Sequence, residues 1–357
     1  MAKIACITDT HFGARGDSVP FAEYFAEFYK NVFFPYLKEN GITDIIHLGD
    51  IVERRKYINY MTSRHLREDF IKPCSDNGIN LRVIIGNHDT FFKNTNDVNS
   101  MDELYNNSNY KFEYFSNPSE IEIDGLKIAL LPWVCSGNYQ ESMDFINKTS
   151  AQVLFGHLEI QGFEMHRGAI NDHGLQSNVF NKFDVVCSGH FHHKSSRGNI
   201  HYLGAPYEIT WSDYNDPRGF HVFDTETRTL EFIQNPYTMF NKIHYDDTSK
   251  TLEETLDFDV SKYSNTFLKV IITAKNNPLW FDMFIDKLER SGLVDLQVVE
   301  DHLNLNIEDD EEIYSAAEDT PSILRKAANS IQSAEHKKEL DILLQSLYND
   351  ALDVESV

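Results

Sequence analysis

The sequence predicts an α/β protein built as a two-sheet sandwich flanked by helices, with a small α/β unit and a C-terminal helical segment after it. Two observations predict the sandwich: short apolar runs rich in β-branched residues recur along the first half of the chain, and helical patterns lie between them. A length of 357 residues favours two domains and a tail. Hydrophobic residues make up 41% of the chain, which is enough to fill a sizeable core.

Five of the apolar runs end in polar side chains that can bind a metal ion. Each run is typical of a buried strand whose carboxyl end opens into a loop. Ligands of open α/β sheets collect at those ends, so we expect the polar side chains to meet at one edge. The runs are Lys3–Thr8 before Asp9 and His11, Asp44–Leu48 before Asp50, Leu81–Ile85 before Asn87, Gln152–Phe155 before His157, and Asp184–Ser188 before His190 and His192.

Helices are predicted between these strands, because apolar residues recur at helical spacing over Phe21–Tyr36 and over Met61–Ile71. We expect both helices to cover the sheet. The many aromatic residues of the first helix also suggest an interface. Ile128–Trp133 and Gly219–Phe223 are expected to be further strands, consistent with a second sheet.

The chain is predicted to divide into residues 1–240, a small domain over 245–307, an acidic linker over 308–319 and a helical segment over 320–357. The boundary falls near Pro236–Tyr245. Beyond it, Thr266–Thr273, Leu279–Ser291 and Leu293–Val299 have the pattern of a strand, a helix and a strand. Glu308–Glu312 is entirely acidic. Thr320 is a candidate N-cap, with Pro321 at the first position of a helix that runs through Ile331, and Leu340–Ala351 forms a last amphipathic helix.

Charge and cysteine usage limit the class of protein. The formal net charge is -24, and most of it lies after Ile243, which argues against a general nucleic-acid coat protein. A first domain of milder charge can still bind a polyanion through metal ions and local basic residues. The four cysteines lack a CxxC pairing, so reduced thiols in a cytoplasm are expected, with Cys6 and Cys187 in the core. No apolar run approaches the length of a membrane span.

The polar side chains at the strand ends suit phosphoester hydrolysis. A phosphodiester needs an activated water and neutralisation of its phosphoryl oxygens, and two metal ions roughly 4 Å apart supply both. Imidazole, carboxylate and amide ligands suit manganese, iron or zinc. Asp50 is the natural bridging carboxylate, since Gly49 before it lets the backbone turn at little steric cost.

The ordered blocks DTH, GD, GNHD, GH and GHFH resemble the full signature of the calcineurin-like metallophosphoesterases. The resemblance implies that Asp9, His11, Asp50 and His192 hold one metal ion, and that Asp50, Asn87, His157 and His190 hold the other. It also implies that His88 is not a ligand but faces the scissile phosphate, where an imidazolium can stabilise charge or protonate the leaving oxygen. We expect Asp89 to orient the His88 ring.

Three further blocks, GHLEIQGF, YLGAPYEITW and DPRGFHVFD, resemble the SbcD-type DNA-repair nucleases, also known as the meiotic-recombination type. Within that type, the GDIxxxRK pattern and the acidic tail resemble the nuclease subunits of T-even-type bacteriophages. This resemblance implies two manganese ions per subunit, 3′-to-5′ exonuclease activity on duplex ends and endonuclease activity on single strands. It makes residues 245–307 a capping domain and places the protein in the cytoplasm, that of a bacterial host if a phage encodes it.

The same resemblance implies partners and DNA contacts. SbcD-like subunits form homodimers through N-terminal helices, here Phe21–Tyr36 and Met61–Ile71, and bind an SbcC-like ABC-type coiled-coil ATPase, here through 320–357, in a heterotetramer. Several relatives carry a histidine three residues after the bridging aspartate, where this chain has Glu53, so the contribution of that histidine is not carried over. Candidate DNA-binding residues on loops at the active edge are Arg15, Arg54, Arg55, Lys56, Lys93, Lys194 and Arg197.

The main alternative is a calcineurin-like protein phosphatase or a small-molecule phosphodiesterase that uses the same metal ions. Protein phosphatases carry GDxVDRG at the second block, whereas this chain reads GDIVERR. Glu53 and Arg55 therefore depart from two defining positions. The small α/β domain and the helical tail also have no role in that alternative.

Overall fold

The computed structural model describes residues 2–300 except Lys111 and Arg167. Residues up to Ile209 and from Asp213 to Val299 form one compact unit. The predicted linker over 308–319 and the predicted helices after Thr320 lie outside the described residues, and the division into four segments remains a prediction. Among the described residues, no helix is both long and apolar enough to cross a membrane.

Two six-stranded mixed sheets form the predicted sandwich. The first sheet has the spatial order Leu230–Gln234, Gly219–Asp224, Lys3–Ile7, Asp44–His47, Asn80–Ile84 and Phe112–Phe115. The second has the order Ser195–Arg197, Ile200–Tyr202, Val185–Gly189, Val153–His157, Leu126–Leu131 and Ser119–Ile123. A two-stranded hairpin, Glu164–His166 with Ala169–Ile170, stands apart from both sheets.

One expectation about the sheets was wrong. The predicted strand Gly219–Phe223 was grouped with a second sheet, but the observed strand Gly219–Asp224 pairs antiparallel with Lys3–Ile7 and belongs to the first sheet. An apolar run does not reveal which sheet it joins, since either central position buries both of its faces. The five strands that precede the candidate ligands do not all belong to one sheet. Three of them lie in the first sheet and two in the second.

The core between the two sheets consists of aliphatic and aromatic residues with little or no exposure, among them Ile4, Ile46, Ile84, Leu130 and Phe155. Cys6 and Cys187 lie fully buried within it, as predicted, and all four cysteines are free thiols. This buried apolar interior keeps the strands in register, and so fixes where their carboxyl ends place polar side chains.

Two helical stretches connect the strands of the first sheet, and both widen into a π-helical turn just before a proline. The helix Val19–Phe28 continues through the π segment Tyr29–Phe33 into Phe34–Glu39, and Tyr60–His65 continues through Leu66–Ile71 into Lys72–Asp76. Pro35 and Pro73 lack the N–H that an α-helical turn requires, which explains the local widening.

The aromatic face of the first helical stretch packs inside the protein. Phe25 stacks on Tyr207 with ring centroids 3.7 Å apart, and Phe28 contacts Phe220 edge-on. Phe25 and Phe28 are 2% and 0% exposed. The helix covers the sheet as predicted, but these aromatic residues are core residues and do not form an exposed interface.

Shorter helices complete the sandwich and its loops: Ser100–Tyr105 and Tyr139–Lys148 are α-helical, and Ser177–Phe180 and Trp211–Asp213 are 3-10 turns. Ala14–Asp17 is a kinked single turn in which Arg15 and Gly16 have left-handed backbone angles. It follows the candidate ligand His11 closely in the chain.

The predicted small α/β unit is present around a three-stranded sheet. Its strands are Phe240–Asp246, Phe267–Ala274 and Asp295–Glu300, and its helices are Leu252–Leu256, Pro278–Glu289 and the 3-10 turn Ser261–Tyr263. Most of the segment Pro236–Tyr245, where the boundary is expected, belongs to the first strand of this sheet. Phe240 and Phe267 contact Phe21 of the first helix, so aromatic packing connects the unit to the sandwich.

Candidate metal centre

The seven candidate ligands converge at the carboxyl ends of both sheets. Three parallel strands of the first sheet, Lys3–Ile7, Asp44–His47 and Asn80–Ile84, lead to Asp9, His11, Asp50 and Asn87. Two parallel strands of the second sheet, Val153–His157 and Val185–Gly189, lead to His157, His190 and His192. The site therefore lies where the two sheets of the sandwich meet.

The ligand atoms form two groups. In the first, potential donor atoms of Asp9, His11 and His192 all lie within 4.8 Å of one another, and Nε2 of His11 is 3.0 Å from Nε2 of His192. In the second, those of Asp50, His157 and His190 lie within the same limit. Asn87 adds its Oδ1 at 2.9 Å from Nε2 of His157.

These groups fit divalent cations on chemical grounds. Two imidazole nitrogens that face each other at hydrogen-bond distance, beside a carboxylate, present lone pairs to a shared point. Nδ1 of His157 donates a hydrogen bond to the carbonyl oxygen of Leu48 at 2.8 Å. Nε2, which lies 3.2 Å from Oδ2 of Asp50, is therefore the ring atom left to bind a metal ion. A backbone carbonyl that fixes the tautomer in this way is the usual arrangement behind a metal-binding histidine.

The charges of Asp50 and His157 depend on each other. Burial alone would raise the pKa of Asp50 and lower that of His157. The attraction between the two side chains outweighs burial, so it lowers the pKa of Asp50 well below its usual range and raises that of His157 to about 9. A proton on His157 thus balances the buried carboxylate, and a cation bound there replaces that proton.

Four candidate ligands have backbone angles that L-residues rarely adopt. Asp9, His11, Asp50 and His190 have φ values of 52°, 42°, 54° and 88°. Each such residue costs about 1–3 kcal/mol, and such strain collects at functional sites. The sharp turns at the strand ends direct these side chains back toward a common point.

Glycines next to the ligands leave no room for a side chain. A Cβ atom on Gly86 would overlap the backbone and carboxylate of Asp50, and one on Gly189 would overlap Oγ1 of Thr8. A Cβ on Gly49 would lie 2.5 Å from Nδ1 of His157. The glycines of the GD, GNHD and GHFH blocks thus let strands of the two sheets approach closely enough to share the site.

Asp89 has a different role from the one expected. Its buried carboxylate accepts four backbone hydrogen bonds, from the N–H groups of Asp50, Ile51, Val52 and Gly86 at 2.8–3.2 Å. Burial and the negative charge of Asp50 raise the pKa of Asp89 to about 6. Asp89 therefore shapes the loop that carries Asp50, and its expected effect on the orientation of the His88 ring stays a prediction.

Glu53 contacts the two histidines of the DTH and GNHD blocks. Nδ1 of His88 donates to the backbone carbonyl of Glu53 at 2.6 Å, and Oε2 of Glu53 lies 2.7 Å from Nδ1 of His11. The rings of His11 and His88 meet edge-on with centroids 4.9 Å apart. The one signal for Glu53 that sequence reasoning could use is its position where relatives carry a histidine.

Sequence reasoning also missed Arg218, which lies in the DPRGFHVFD block. Its guanidinium is buried and donates to the carbonyl of His192, and it forms ion pairs with Asp213 at 2.7 Å and Asp216 at 2.8 Å. In the neighbouring YLGAPYEITW block, Tyr207 donates to the carbonyl of Thr10 at 2.5 Å. Both blocks thus support ligand loops.

The seven basic residues proposed for DNA contact differ in their surroundings. Arg15, Lys56, Lys93 and Arg197 are exposed. Arg54 forms an ion pair with Asp17 at 2.5 Å. Nζ of Lys194 lies 3.5 Å from the ring centroid of Phe232, and burial lowers its pKa. Arg55 is half-buried. DNA contact remains a prediction for all seven residues.

The convergence of these ligands agrees with the comparison of the whole chain with known proteins. The calcineurin-like phosphoesterase family matches residues 2–194, more than half of the chain, so the chain belongs to this family. Exonuclease subunit 1 of Enterobacteria phage T4 is 33% identical over 331 residues, which cover 92% of this chain and 93% of the relative.

Two more distant relatives match a shorter part of the chain. The SbcD subunit of the SbcCD nuclease of Staphylococcus epidermidis is 31% identical over 94 residues, and that of Staphylococcus saprophyticus subsp. saprophyticus is 27% identical over 96 residues. Each match covers 24% of this chain and 25% of the relative. The resemblance to the SbcD type inferred from motifs is thus confirmed.

Proposed function

We propose that this protein is the manganese-dependent DNA nuclease subunit of a recombination and double-strand-break repair complex. Its activities would be 3′-to-5′ exonuclease on duplex ends and endonuclease on single strands. The coarser function is that of a phosphodiester-hydrolysing nuclease of the metallophosphoesterase family, related to the phage exonuclease subunit and to SbcD. The observation that carries the proposal is the convergence of seven candidate ligands from five strand ends in a chain that matches this exonuclease along nearly its whole length.

The residues divide between two ions as the family resemblance implies. Asp9, His11, Asp50 and His192 would hold one ion, and Asp50, Asn87, His157 and His190 the other. Such ions supply an activated water and neutralise charge on the phosphoryl oxygens. Asp50 is suited to bridge the two ions, because two hydrogen bonds fix its position. Its backbone N–H donates to the Asp89 carboxylate, and its Oδ1 accepts the backbone N–H of His88 at 2.8 Å.

His88 would act on the leaving oxygen. The Glu53 carbonyl accepts from its Nδ1, so a neutral ring carries its proton there, and a second proton on Nε2 makes it an imidazolium that can stabilise charge or donate a proton. The ring is only half-buried, so a substrate can reach it. Burial would raise the pKa of Glu53, but attraction by His11 and His88 outweighs burial and lowers that pKa, so a negative charge lies near the His88 ring.

A manganese-dependent assay on end-labelled duplex DNA, beside a phosphopeptide and bis(4-nitrophenyl) phosphate, tests the proposal. We expect shortened DNA products in the presence of Mn²⁺ and none in the presence of chelator. Turnover of only the phosphopeptide would identify a protein phosphatase, and turnover of only the small ester would identify a small-molecule phosphodiesterase. Repeating the assay with Zn²⁺ and Fe²⁺ tests the choice of metal.

The proposal includes an SbcC-like ABC-type ATPase as partner, bound through the helices predicted within residues 320–357. A partner of this kind would add the positive surface that an acidic chain lacks for DNA. Deleting the residues after Asp319 should release the ATPase and leave the Mn²⁺-dependent hydrolysis of bis(4-nitrophenyl) phosphate intact. Co-purification of the truncated chain with the ATPase would contradict this assignment.

We also propose a homodimer through the N-terminal helices, with contacts that lie outside the buried aromatic face of the first helix. Phe25 and Phe28 are buried, so a charge at either position should unfold the protein instead of separating subunits. Tyr60 and Met61 begin the second helical stretch and are 93% and 53% exposed. Met61→Glu combined with Tyr60→Glu should yield a folded monomer by sedimentation, and a persistent dimer would contradict the interface.

A further inference from the structure

Two adjacent aromatic side chains follow the GNHD block on the surface of the protein. Phe91 and Phe92 are 38% and 47% exposed, and their rings meet edge-on with centroids 4.7 Å apart. Lys93 beside them is exposed as well. The phenylalanines of the sandwich described above, such as Phe25, Phe28 and Phe155, are buried. Core packing therefore does not explain the exposed pair.

The loop that carries the pair is held firmly at its base. Thr90 and Asn99 form an antiparallel bridge, the N–H of Phe91 donates to the carbonyl of Val98 at 2.9 Å, and the N–H of Ser100 donates to that of Asp89 at 2.7 Å. A loop fixed in this way presents its rings with little loss of conformational entropy on binding.

Hydrogen bonds from the middle of the loop connect it to the wall of the metal centre. The Asn96 amide donates to the carbonyl of Trp133 at 2.9 Å, and the carbonyl of Asn94 accepts from Gly137 at 2.9 Å. The Trp133 ring lies 5.0 Å from the His190 ring, centroid to centroid. The loop 90–99 is thus connected to the site in two ways. It follows His88 closely in the chain, and it bonds to Trp133, whose ring contacts the candidate ligand His190.

We propose that Phe91 and Phe92 stack on unpaired bases of the DNA strand that is cleaved. The proposal deepens the nuclease function proposed above and rests on it. Aromatic rings bind single strands by stacking with any base, whereas the bases of an intact duplex already stack on each other. The pair would therefore bind a single strand or a frayed duplex end, while Lys93 contacts its backbone phosphate.

The small size of this aromatic surface and its polar surroundings favour a nucleic acid over a protein as the molecule that binds here. The side chains that follow the pair in the loop are polar and at least partly exposed: Lys93, Asn94, Thr95 and Asp97. A stable protein interface buries about 800 Å² on each partner, and two rings supply only a small part of that area. Unpaired bases need only the rings and a nearby cation, and both are present.

The test uses Phe91→Ala, Phe92→Ala and the double variant of the full chain, with Leu279→Ala as a control at another exposed apolar position. Binding is measured with a fluorescent oligothymidylate, in Ca²⁺ to prevent cleavage. We expect each single variant to bind roughly tenfold more weakly, and the double variant more weakly still. Phe92→Trp should restore binding that Phe92→Leu does not, because stacking needs a ring and not merely an apolar side chain.

Turnover separates this proposal from the general nuclease function. The ratio of kcat/KM for the oligothymidylate to that for bis(4-nitrophenyl) phosphate should fall at least about fivefold in the double variant. Wild-type affinity for the oligothymidylate in the double variant would overturn the stacking proposal, as would equal affinities of the Phe92→Leu and Phe92→Trp variants. If the double variant no longer binds the proposed ATPase but binds the oligothymidylate as wild type does, the surface is a protein contact and the stacking proposal is overturned. A wild-type protein that cleaves the small ester but no DNA would instead refute the nuclease function.

Discussion

Oε2 of Glu53 lies 2.7 Å from Nδ1 of His11, on the opposite side of the ring from the nitrogen that faces His192. A carboxylate in this position fixes the orientation of a metal-binding histidine and raises its basicity. The Glu53 backbone carbonyl also accepts a hydrogen bond from Nδ1 of His88, so one residue contacts both a candidate metal ligand and the proposed proton donor.

Glu53→Ala should weaken metal binding, because the His11 ring loses the contact that orients it. We expect a loss of roughly 10- to 100-fold in affinity at one site, and a smaller loss for Glu53→Gln. Titration of the metal-free protein with Mn²⁺ in a calorimeter measures this. Glu27→Gln, at an exposed position, is the control. Unchanged affinity in Glu53→Ala would show that the contact does not support His11.

His88→Gln should leave the metal content unchanged and abolish most DNA cleavage, because His88 is placed outside the two ligand groups. Loss of a general acid typically costs roughly 10²–10⁴ in rate. Metal analysis after gel filtration, together with single-turnover cleavage of duplex DNA, checks both parts. His244→Gln, at an exposed position in the small α/β unit, should behave as wild type. Wild-type cleavage by His88→Gln would refute the role.

Gly86→Ala should disrupt the centre, because the added Cβ overlaps both the backbone and the carboxylate of Asp50. We expect a loss of about 1–3 kcal/mol in the free energy of unfolding, together with loss of bound metal. Gly41→Ala is a matched control with open space around its Cβ. Its cost should be about 1 kcal/mol, from the left-handed backbone alone, with full metal content. Chemical unfolding and metal analysis distinguish the two variants.

Glu208 should make the stability of the protein depend on pH. Burial raises its pKa to about 7, although it accepts the N–H groups of Met239 and Phe240 at 2.6 Å and 2.8 Å. Because the folded-state pKa lies above the unfolded one, its stabilising contribution is full below about pH 4.5 and is lost as the pH rises through 7. The loss should be on the order of 3 kcal/mol.

Urea unfolding of the metal-free protein at pH 5 and at pH 8 measures this loss. Glu208→Gln keeps an acceptor for the two N–H groups but has no proton to lose, so it should show a smaller difference between the two pH values than wild type. Equal differences in the two proteins would show that Glu208 is not the responsible group.

The strands and the convergence of the ligands were predictable, because buried β-branched runs and the polar residues after them are both local in the sequence. His157 and His190 are examples, since each lies at the end of its strand. The role of Asp89 was not predictable, because its carboxylate is directed by hydrogen bonds from a loop 37 to 39 residues earlier. A neighbour in the chain was a poor guide to a neighbour in space.

Other features depend on packing that leaves no pattern in the sequence. Helical spacing placed Phe25 and Phe28 on one face, but the spacing is the same whether that face meets Tyr207 in the core or a second copy of the chain. The strand Phe240–Asp246 was missed for a similar reason: most of its residues are exposed or only partly buried, so its apolar pattern is weak.

Because the centre lies between the two sheets, a bound ion should stabilise the folded protein against global opening. His11 and His192 are 181 residues apart in the chain, so an ion that holds both acts as a removable cross-link across half of the sequence. Global opening of the sandwich then requires release of the ion. When the metal becomes scarce, proteases should remove the idle enzyme as well, and its abundance should follow the metal supply.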